Sequence, residues 1–195
     1  MGWFWQEVTA LRLLNTDKGY GLVTILMHWL MAVIVFGLFA LGWWMTELTY
    51  YDDWYRKGPE LHKAIGIILF CFWGLRLVWR IATVSPAPLP DHKKWEVMAA
   101  KSVHWLLYIV LLSVFVSGYM ISTADGRPID VFGIFSVPAF ATGMENQEDL
   151  AGLVHFCVAC VLVGLALLHG AAAIKHHIVD KDNTLRRMLN PKLND

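Results

Sequence analysis

Four long apolar runs, separated by polar segments, dominate the chain, and they cover residues 21–45, 61–82, 102–121 and 150–178. Each run is long enough to cross a hydrocarbon core of about 30 Å as a helix, which takes about 20 residues. None shows the alternation of apolar and polar positions that indicates a half-buried strand. Since a helix satisfies its own backbone hydrogen bonds inside a bilayer, we predict an all-α integral membrane protein with a four-helix bundle.

The segments between and beyond the runs are polar. Residues 1–20 form an N-terminal extension, for which an interfacial helix and a frayed segment are equally compatible readings, and residues 179–195 form a tail. Three prolines in SPAPLPDHKK predict an extended connection between the second and third spans. Asp125-Gly126 and Pro128 predict a turn in the long segment before the fourth span.

Composition agrees with a membrane protein. The chain is 57% hydrophobic and 16% charged, with a mean hydropathy of +0.49 and a formal net charge of zero. These values exclude a disordered chain, and zero net charge gives no general attraction to nucleic acid. Cys71, Cys157 and Cys160 all lie in apolar runs, so we expect small buried residues rather than a disulfide framework. Residues 1–20 lack the compact apolar core of a cleavable signal peptide.

Basic residues are concentrated on one side of the predicted spans. An even number of spans places both termini on one side, together with the connection between the second and third spans. Twelve of the sixteen Lys and Arg residues belong to that side. Because Lys and Arg accumulate in cytoplasmic segments, we predict that both termini are cytoplasmic. The twelve are Arg12, Lys18, Arg76, Arg80, Lys93, Lys94, Lys101, Lys175, Lys181, Arg186, Arg187 and Lys192.

Histidines inside the spans are the strongest functional signal. Ionisable side chains are rare within spans and usually face the bundle interior, which makes them functional candidates. A hydrogen bond between helices would be a sufficient reason for a single histidine within a span. It is a weaker explanation for six histidines in one chain. Of the eight histidines, those in or at the ends of spans are His28, His62, His104, His155, His169 and His176.

The depths of four histidines predict two pairs. His155 and His169 are 14 residues apart, which places them on nearly one helix face and about 21 Å apart along the axis. Because the first two spans cross in opposite directions, His28 lies level with His169, and His62 lies level with His155. Two bis-histidine sites, one in each leaflet, are what two b-type haems require. A zinc site would need three or four ligands at one level.

Further polar residues cluster at the predicted cytoplasmic level. Arg76 and Arg80 follow His62 on nearly the same helix face and are candidates for binding the propionates of an inner haem. Snorkelling side chains that anchor the helix are the alternative. His104 and His176 are too shallow for a third haem pair, and we predict a pocket for a quinone head group, since the pKa of histidine suits proton exchange. Interfacial polar caps would explain them equally well.

The order of these motifs resembles the bacterial cytochrome b561 family of four-helix di-haem membrane cytochromes. The resemblance runs from about Tyr20 onward through MHWL, PELHKAIG, HWLLY, ISTADGRPIDVFG, LVHFC, LHGAAAIKHH and DKDNTLRRM. It implies two haem b groups, with axial ligands that fall on His28, His62, His155 and His169. It also implies a location in the bacterial inner membrane and a ubiquinone site near the inner haem, which matches His104 and His176 less closely.

Some members of that family oxidise superoxide outside the membrane and reduce ubiquinone. The predicted outer segments, however, carry nine acidic residues against four basic ones, Arg56, Lys57, Lys63 and Arg127. A net negative field disfavours capture of an anion, unless Lys63 and Arg127 form a local positive funnel. The same acidic face suits a basic periplasmic redox partner.

The sequence therefore predicts a quinone-linked di-haem cytochrome that exchanges electrons with a periplasmic one-electron partner. Three alternatives remain open: a superoxide:ubiquinone oxidoreductase, a cytochrome b anchor subunit of a larger dehydrogenase, and, from another class, a metal-ion transporter. No Asp or Glu lies well inside a span, which disfavours the transporter. A b-type haem band in the reduced-minus-oxidised spectrum distinguishes the two classes.

Overall fold

Four long helices make up most of the computed structural model, which describes residues 13–191. They are α1 (Leu22–Thr46), α2 (Lys57–Ala82), α3 (Lys94–Ser122) and α4 (Gln147–Ile178), and a short α5 (Thr184–Arg187) lies in the tail. All four long helices are long and apolar enough to cross a membrane. The predicted membrane-spanning helical fold is confirmed. The helix predicted as one reading of the first residues falls mostly outside the described part of the chain.

Polar groups define where the helices begin. The side chain of Asn15 accepts hydrogen bonds from the backbone N–H of Gly21, at 2.9 Å, and from the hydroxyl of Thr24, at 2.7 Å. Before α3, Glu96 accepts from the backbone N–H of Lys93 at 2.9 Å. Such contacts satisfy N–H groups that have no partner within the helix. The second, third and fourth helices start earlier than their apolar runs, because their polar first turns are helical as well.

Most apolar side chains of the helices point outward. In the most apolar window of each long helix, between 11% and 17% of the residues are buried against protein. A water-soluble bundle would bury one face of each helix, whereas these surfaces suit contact with lipid chains.

The described chain divides into two compact units, and each long helix contributes to both. The first unit contains the described residues up to Ala32, Trp73–Val103 and those from Leu167 onward. The second contains Val33–Phe72 and His104–Ala166. The first unit therefore holds the helix ends that the charge distribution predicts to be cytoplasmic.

In the first unit, hydrogen bonds join the segment before α1, the proline-rich connection and the tail. The backbone N–H of Ala87, in the proline-rich connection, donates to the carbonyl of Asp17 at 2.7 Å. Arg187, in the tail, donates to the carbonyl of Ala87 at 3.0 Å. The indole N–H of Trp29 donates to the carbonyl of Met188 at 2.7 Å. The described part of the tail is thus packed against the other segments of this unit.

In the second unit, the long polar segment forms a hairpin. Strands β1 (Ile129–Val131) and β2 (Phe135–Val137) pair in antiparallel register. The predicted turn at Asp125-Gly126 is present, with a φ of 78° at Gly126. The hairpin itself was not predicted, because strands of three residues are too short to show alternation.

Two buried polar side chains fix the return from this hairpin to α4. The hydroxyl of Thr123 donates to the carbonyl of Ala141 at 3.1 Å. The side-chain amide of Gln147 donates to the same carbonyl at 2.8 Å and to that of Met120 at 2.9 Å. The start of α4, which carries His155 two turns later, is thereby attached to the end of α3.

Candidate functional site

Both predicted histidine pairs are formed, one in each unit. In the second unit, the rings of His62 on α2 and His155 on α4 have centres 6.2 Å apart and planes at 75°. In the first unit, the rings of His28 on α1 and His169 on α4 have centres 6.1 Å apart and planes at 72°. The two pairs share α4 but take their second histidine from different helices, and they have nearly the same geometry.

This spacing fits two imidazoles that bind one metal ion from opposite sides. A metal–imidazole bond is about 2.0–2.1 Å, and the ring centre lies about 1.1 Å beyond the nitrogen. Two rings on either side of an iron therefore stand about 6.3 Å apart between centres. The separations of 6.1 and 6.2 Å match this value closely.

The ring of His155 is oriented by hydrogen bonds from one nitrogen. Its Nδ1–H donates to the backbone carbonyl of Val114 at 3.0 Å, and the hydroxyl oxygen of Ser117 lies 3.2 Å away. That hydroxyl donates its own proton to the carbonyl of Ser113 at 2.7 Å, which leaves its oxygen free to accept. A protonated Nδ1 leaves Nε2 as the nitrogen with a lone pair, as a metal-ligating histidine requires.

Glycines make room for both rings of this pair. A Cβ at Gly118 on α3 would lie 3.0 Å from Cε1 of His155, and a Cβ at Gly42 on α1 would lie 3.2 Å from Cε1 of His62. Nδ1 of His62 is buried and meets no hydrogen-bond partner among the described residues. The shape of the backbone, rather than a hydrogen bond, therefore positions His62.

A guanidinium group contacts the pair in the first unit. Arg76 donates to Nδ1 of His28 at 3.1 Å and to the sulfur of Met31 at 3.2 Å. Arg80 follows one turn later on the same helix and is half-buried. The predicted cationic residues therefore lie in the unit of the His28 pair, and one of them touches its ring.

Comparison with known proteins places this chain in a family. The family model for prokaryotic cytochrome b561 matches residues 19–191. The chain belongs to this family. It is 49% identical over 181 residues to cytochrome b561 homolog 2 of Escherichia coli strain K12, a match that covers 93% of this chain and 96% of that protein.

Two more distant relatives cover nearly as much of the cytochrome. Cytochrome b561 homolog 1 of the same organism is 28% identical over 172 residues, or 85% of this chain and 93% of its own. A protein of Yersinia pestis named probable superoxide oxidase CybB is 26% identical over 180 residues, or 90% and 98% of the two chains. The relationship therefore extends over the four spans and their connections.

Membership of the family establishes the general role. The protein is a multi-pass bacterial membrane cytochrome that transfers electrons and binds haem b. The donor set of the two histidine pairs suits this cofactor, since neutral imidazoles on facing helices are its common axial ligands.

The residues predicted for a quinone site belong to different units. His104 is a half-buried residue of α3 in the second unit. His176 belongs to the first unit, where its Nδ1 lies 2.8 Å from a carboxylate oxygen of Asp180 and 3.2 Å from one of Asp182. The joint assignment of His104 and His176 to one pocket stays a prediction.

One polar cluster was not predicted from the sequence. His92 lies in a connection, which gave it no role, yet its Nε2 is 2.9 Å from a carboxylate oxygen of Asp182. Burial raises the pKa of Asp182, but hydrogen bonds from His92 and Thr184 outweigh it and hold that pKa below its ordinary value. Because 90 residues separate His92 from Asp182, no periodic pattern could have linked them.

Proposed function

We propose that the protein is a di-haem b-type cytochrome of the bacterial inner membrane, which carries electrons between a periplasmic one-electron partner and a membrane quinone. The observation that supports two haems is the repeated pair geometry, at 6.1 Å in one unit and 6.2 Å in the other. The family implies haem b, and the presence of two histidine pairs with the same spacing supports two haem sites.

In this proposal, His62 and His155 hold one haem, and His28 and His169 hold the other. A bound haem supplies reversible one-electron chemistry, while the protein sets ligand orientation, local charge and access to protons. Val114 and Ser117 keep His155 in the tautomer that presents Nε2. Because Gly42 and Gly118 have no side chain, both rings of that pair can lie close to the helix backbone.

Arg76 is proposed to interact with haem propionates together with Arg80. A guanidinium group only donates hydrogen bonds, so its contact with His28 requires Nδ1 to accept. A neutral histidine that binds a metal through Nε2 carries its proton on Nδ1 and cannot accept there. Metal binding by His28 through Nε2 would therefore end this contact, and a guanidinium group at this position suits a carboxylate.

His104 and His176 are proposed to interact with the quinone head group. Reduction of a quinone takes up protons, and histidine exchanges protons near neutral pH. Carboxylate oxygens of Asp180 and Asp182 lie within 3.2 Å of Nδ1 of His176, so the ring sits in a polar environment. The proposed quinone is ubiquinone.

The periplasmic partner is proposed to be a basic redox protein rather than superoxide. Hydrogen bonds from Arg127 hold the pKa of Asp125 below its ordinary value, and the charge of Lys63 lowers this pKa further. Arg127 is therefore paired with the Asp125 carboxylate, which reduces the attraction of the expected funnel for an anion. The name of the Yersinia pestis relative keeps superoxide as the second candidate donor.

Haem stoichiometry tests the proposal. The purified wild-type protein is expected to contain two haem b per chain, measured as the pyridine haemochrome against protein concentration. His62→Ala or His155→Ala is expected to lose one of them, and His28→Ala or His169→Ala the other, because one axial ligand alone holds haem weakly. Redox titration identifies which of two midpoint potentials disappears.

His177→Ala is the matched control, since it removes a histidine of α4 that belongs to neither pair, and it is expected to retain both haems. Two haems per chain in all four ligand variants would contradict the proposal. Electron transfer is then measured in proteoliposomes that contain ubiquinone, with a reduced basic redox protein outside. Stable co-purification with a soluble dehydrogenase would favour the anchor-subunit alternative instead.

A further inference from the structure

Three segments of the first unit bring together two imidazoles and a carboxylate. His92 comes from the connection between α2 and α3, His176 from the last turn of α4, and Asp182 from the tail. The possible ligand atoms of these three side chains all lie within 4.8 Å of one another. The histidine pairs described above do not include any of these residues.

Both imidazoles face the same carboxylate oxygen. Oδ2 of Asp182 lies 2.9 Å from Nε2 of His92 and 3.2 Å from Nδ1 of His176. Ligands of a tetrahedral Zn²⁺ at about 2.0–2.1 Å are separated by about 3.3 Å from one another. The two distances are close to that value, so only small side-chain shifts would place a metal ion among the three atoms.

The side chains are held in place and largely removed from solvent. The side chains of His92, His176 and Asp182 are 18%, 18% and 11% exposed. The other carboxylate oxygen of Asp182 accepts from the backbone N–H of Thr184 at 2.7 Å, which directs Oδ2 toward the imidazoles. Supporting hydrogen bonds of this kind orient metal ligands in proteins.

One nitrogen in the cluster lacks a hydrogen bond. Nδ1 of His176 is buried and has no hydrogen-bond partner among the described residues, although carboxylate oxygens of Asp180 and Asp182 lie 2.8 and 3.2 Å away. Buried polar atoms without partners are rare and call for an explanation. A metal ion bound between the nitrogen and the carboxylate would supply one.

We propose that His92, His176 and Asp182 bind a divalent transition-metal ion, with Zn²⁺ as the preferred ion. Two neutral imidazoles and one carboxylate are a common donor set for Zn²⁺, and a water molecule or Asp180 supplies the fourth ligand. The bound ion joins the tail to the connection between α2 and α3. If the quinone role proposed for His176 holds, metal binding also prevents that role, a consequence that rests on the proposed function.

Metal binding by the holoprotein tests the site directly. Haem-loaded protein without a polyhistidine tag is treated with a chelator and titrated with ZnCl₂ by isothermal calorimetry. We expect one ion per chain in the wild type. His92→Ala and Asp182→Asn are each expected to weaken its affinity at least tenfold, since second-shell losses alone reach that size and these remove ligands.

Asp91→Asn is the matched control, because Asp91 is an exposed acid next to His92 that lies outside the cluster, and it is expected to bind Zn²⁺ like the wild type. X-ray absorption at the zinc edge should detect two imidazoles, and trypsin should cleave the tail at Arg186 and Arg187 more slowly with Zn²⁺ present. Equal affinity in the wild type and both ligand variants, or no binding at micromolar Zn²⁺, would overturn the proposal. All three readouts are independent of electron transfer, so a failure of the quinone proposal leaves this test intact.

Discussion

The two histidine pairs share a spacing but differ in what surrounds them. In the second unit, neutral groups orient the rings: a backbone carbonyl and a hydroxyl for His155, and the backbone of Gly42 for His62. In the first unit, the cationic guanidinium of Arg76 contacts His28. The same ligand geometry is therefore combined with two different electrostatic environments.

This difference bears on the direction of electron flow. A nearby positive charge favours the state of an iron centre with one electron more, which raises its midpoint potential. We expect the haem that we propose for His28 and His169 to have the higher potential, because Arg76 belongs to the same unit. Electrons would then pass from the His62–His155 pair toward the pair that is predicted to be cytoplasmic.

The largest expected effect comes from filling the space beside His155. In Gly118→Val, the new side chain would begin 3.0 Å from Cε1 of His155, too close without displacing the ring. We expect haem content to fall from two to about one per chain, with the higher potential retained, as measured by pyridine haemochrome and redox titration.

Gly37→Val serves as its control, since Gly37 is exposed on α1 and nothing lies within 4 Å of its Cβ position. If Gly118→Val kept both haems, Gly118 would not be needed to position His155. The view that the shape of the backbone positions the rings of the second unit would then be contradicted.

A smaller effect is expected from removing the charge in the first unit. Arg76→Gln should keep both haems and lower the higher midpoint potential by tens of millivolts, because the added electron loses a nearby cation. Spectroelectrochemical titration of the purified protein measures both potentials.

Lys101→Gln removes the same charge from an exposed position of α3 in the first unit and controls for the change in net charge. Equal shifts of the midpoint potentials in Arg76→Gln and Lys101→Gln would contradict a specific effect of Arg76 on the first pair. A shift of the lower potential alone would contradict it as well.

The smallest effect is expected at Ser117. Ser117→Ala removes one acceptor from Nδ1 of His155, but the carbonyl of Val114 at 3.0 Å remains. We expect two haems and a change of less than about 20 mV in the lower potential, since the ring keeps its orientation and tautomer. Loss of a haem in this variant would mean that the hydroxyl, and not the carbonyl, fixes the ring.

The sequence alone was sufficient for the features that depend on local chain geometry. Apolar runs predicted all four spanning helices, and the fixed rise of a helix gave depths to His28, His62, His155 and His169. Those depths predicted which histidines pair, and in the structure the rings of the two pairs have centres 6.1 and 6.2 Å apart. The turn at Asp125-Gly126 was readable for the same reason, since its residue types act locally.

Only the tertiary structure could reveal contacts that depend on how neighbouring helices are rotated and packed. Backbone carbonyls occur at every position of a helix, and glycines occur in many membrane helices. Only the packing of α3 against α4 shows that the carbonyl of Val114 and the backbone of Gly118 lie beside the ring of His155. Likewise, His92 lies 84 residues before His176, and nothing in either sequence context connects them. The periodicity of a helix sets depth along its axis, whereas lateral contacts depend on the packing of all helices together.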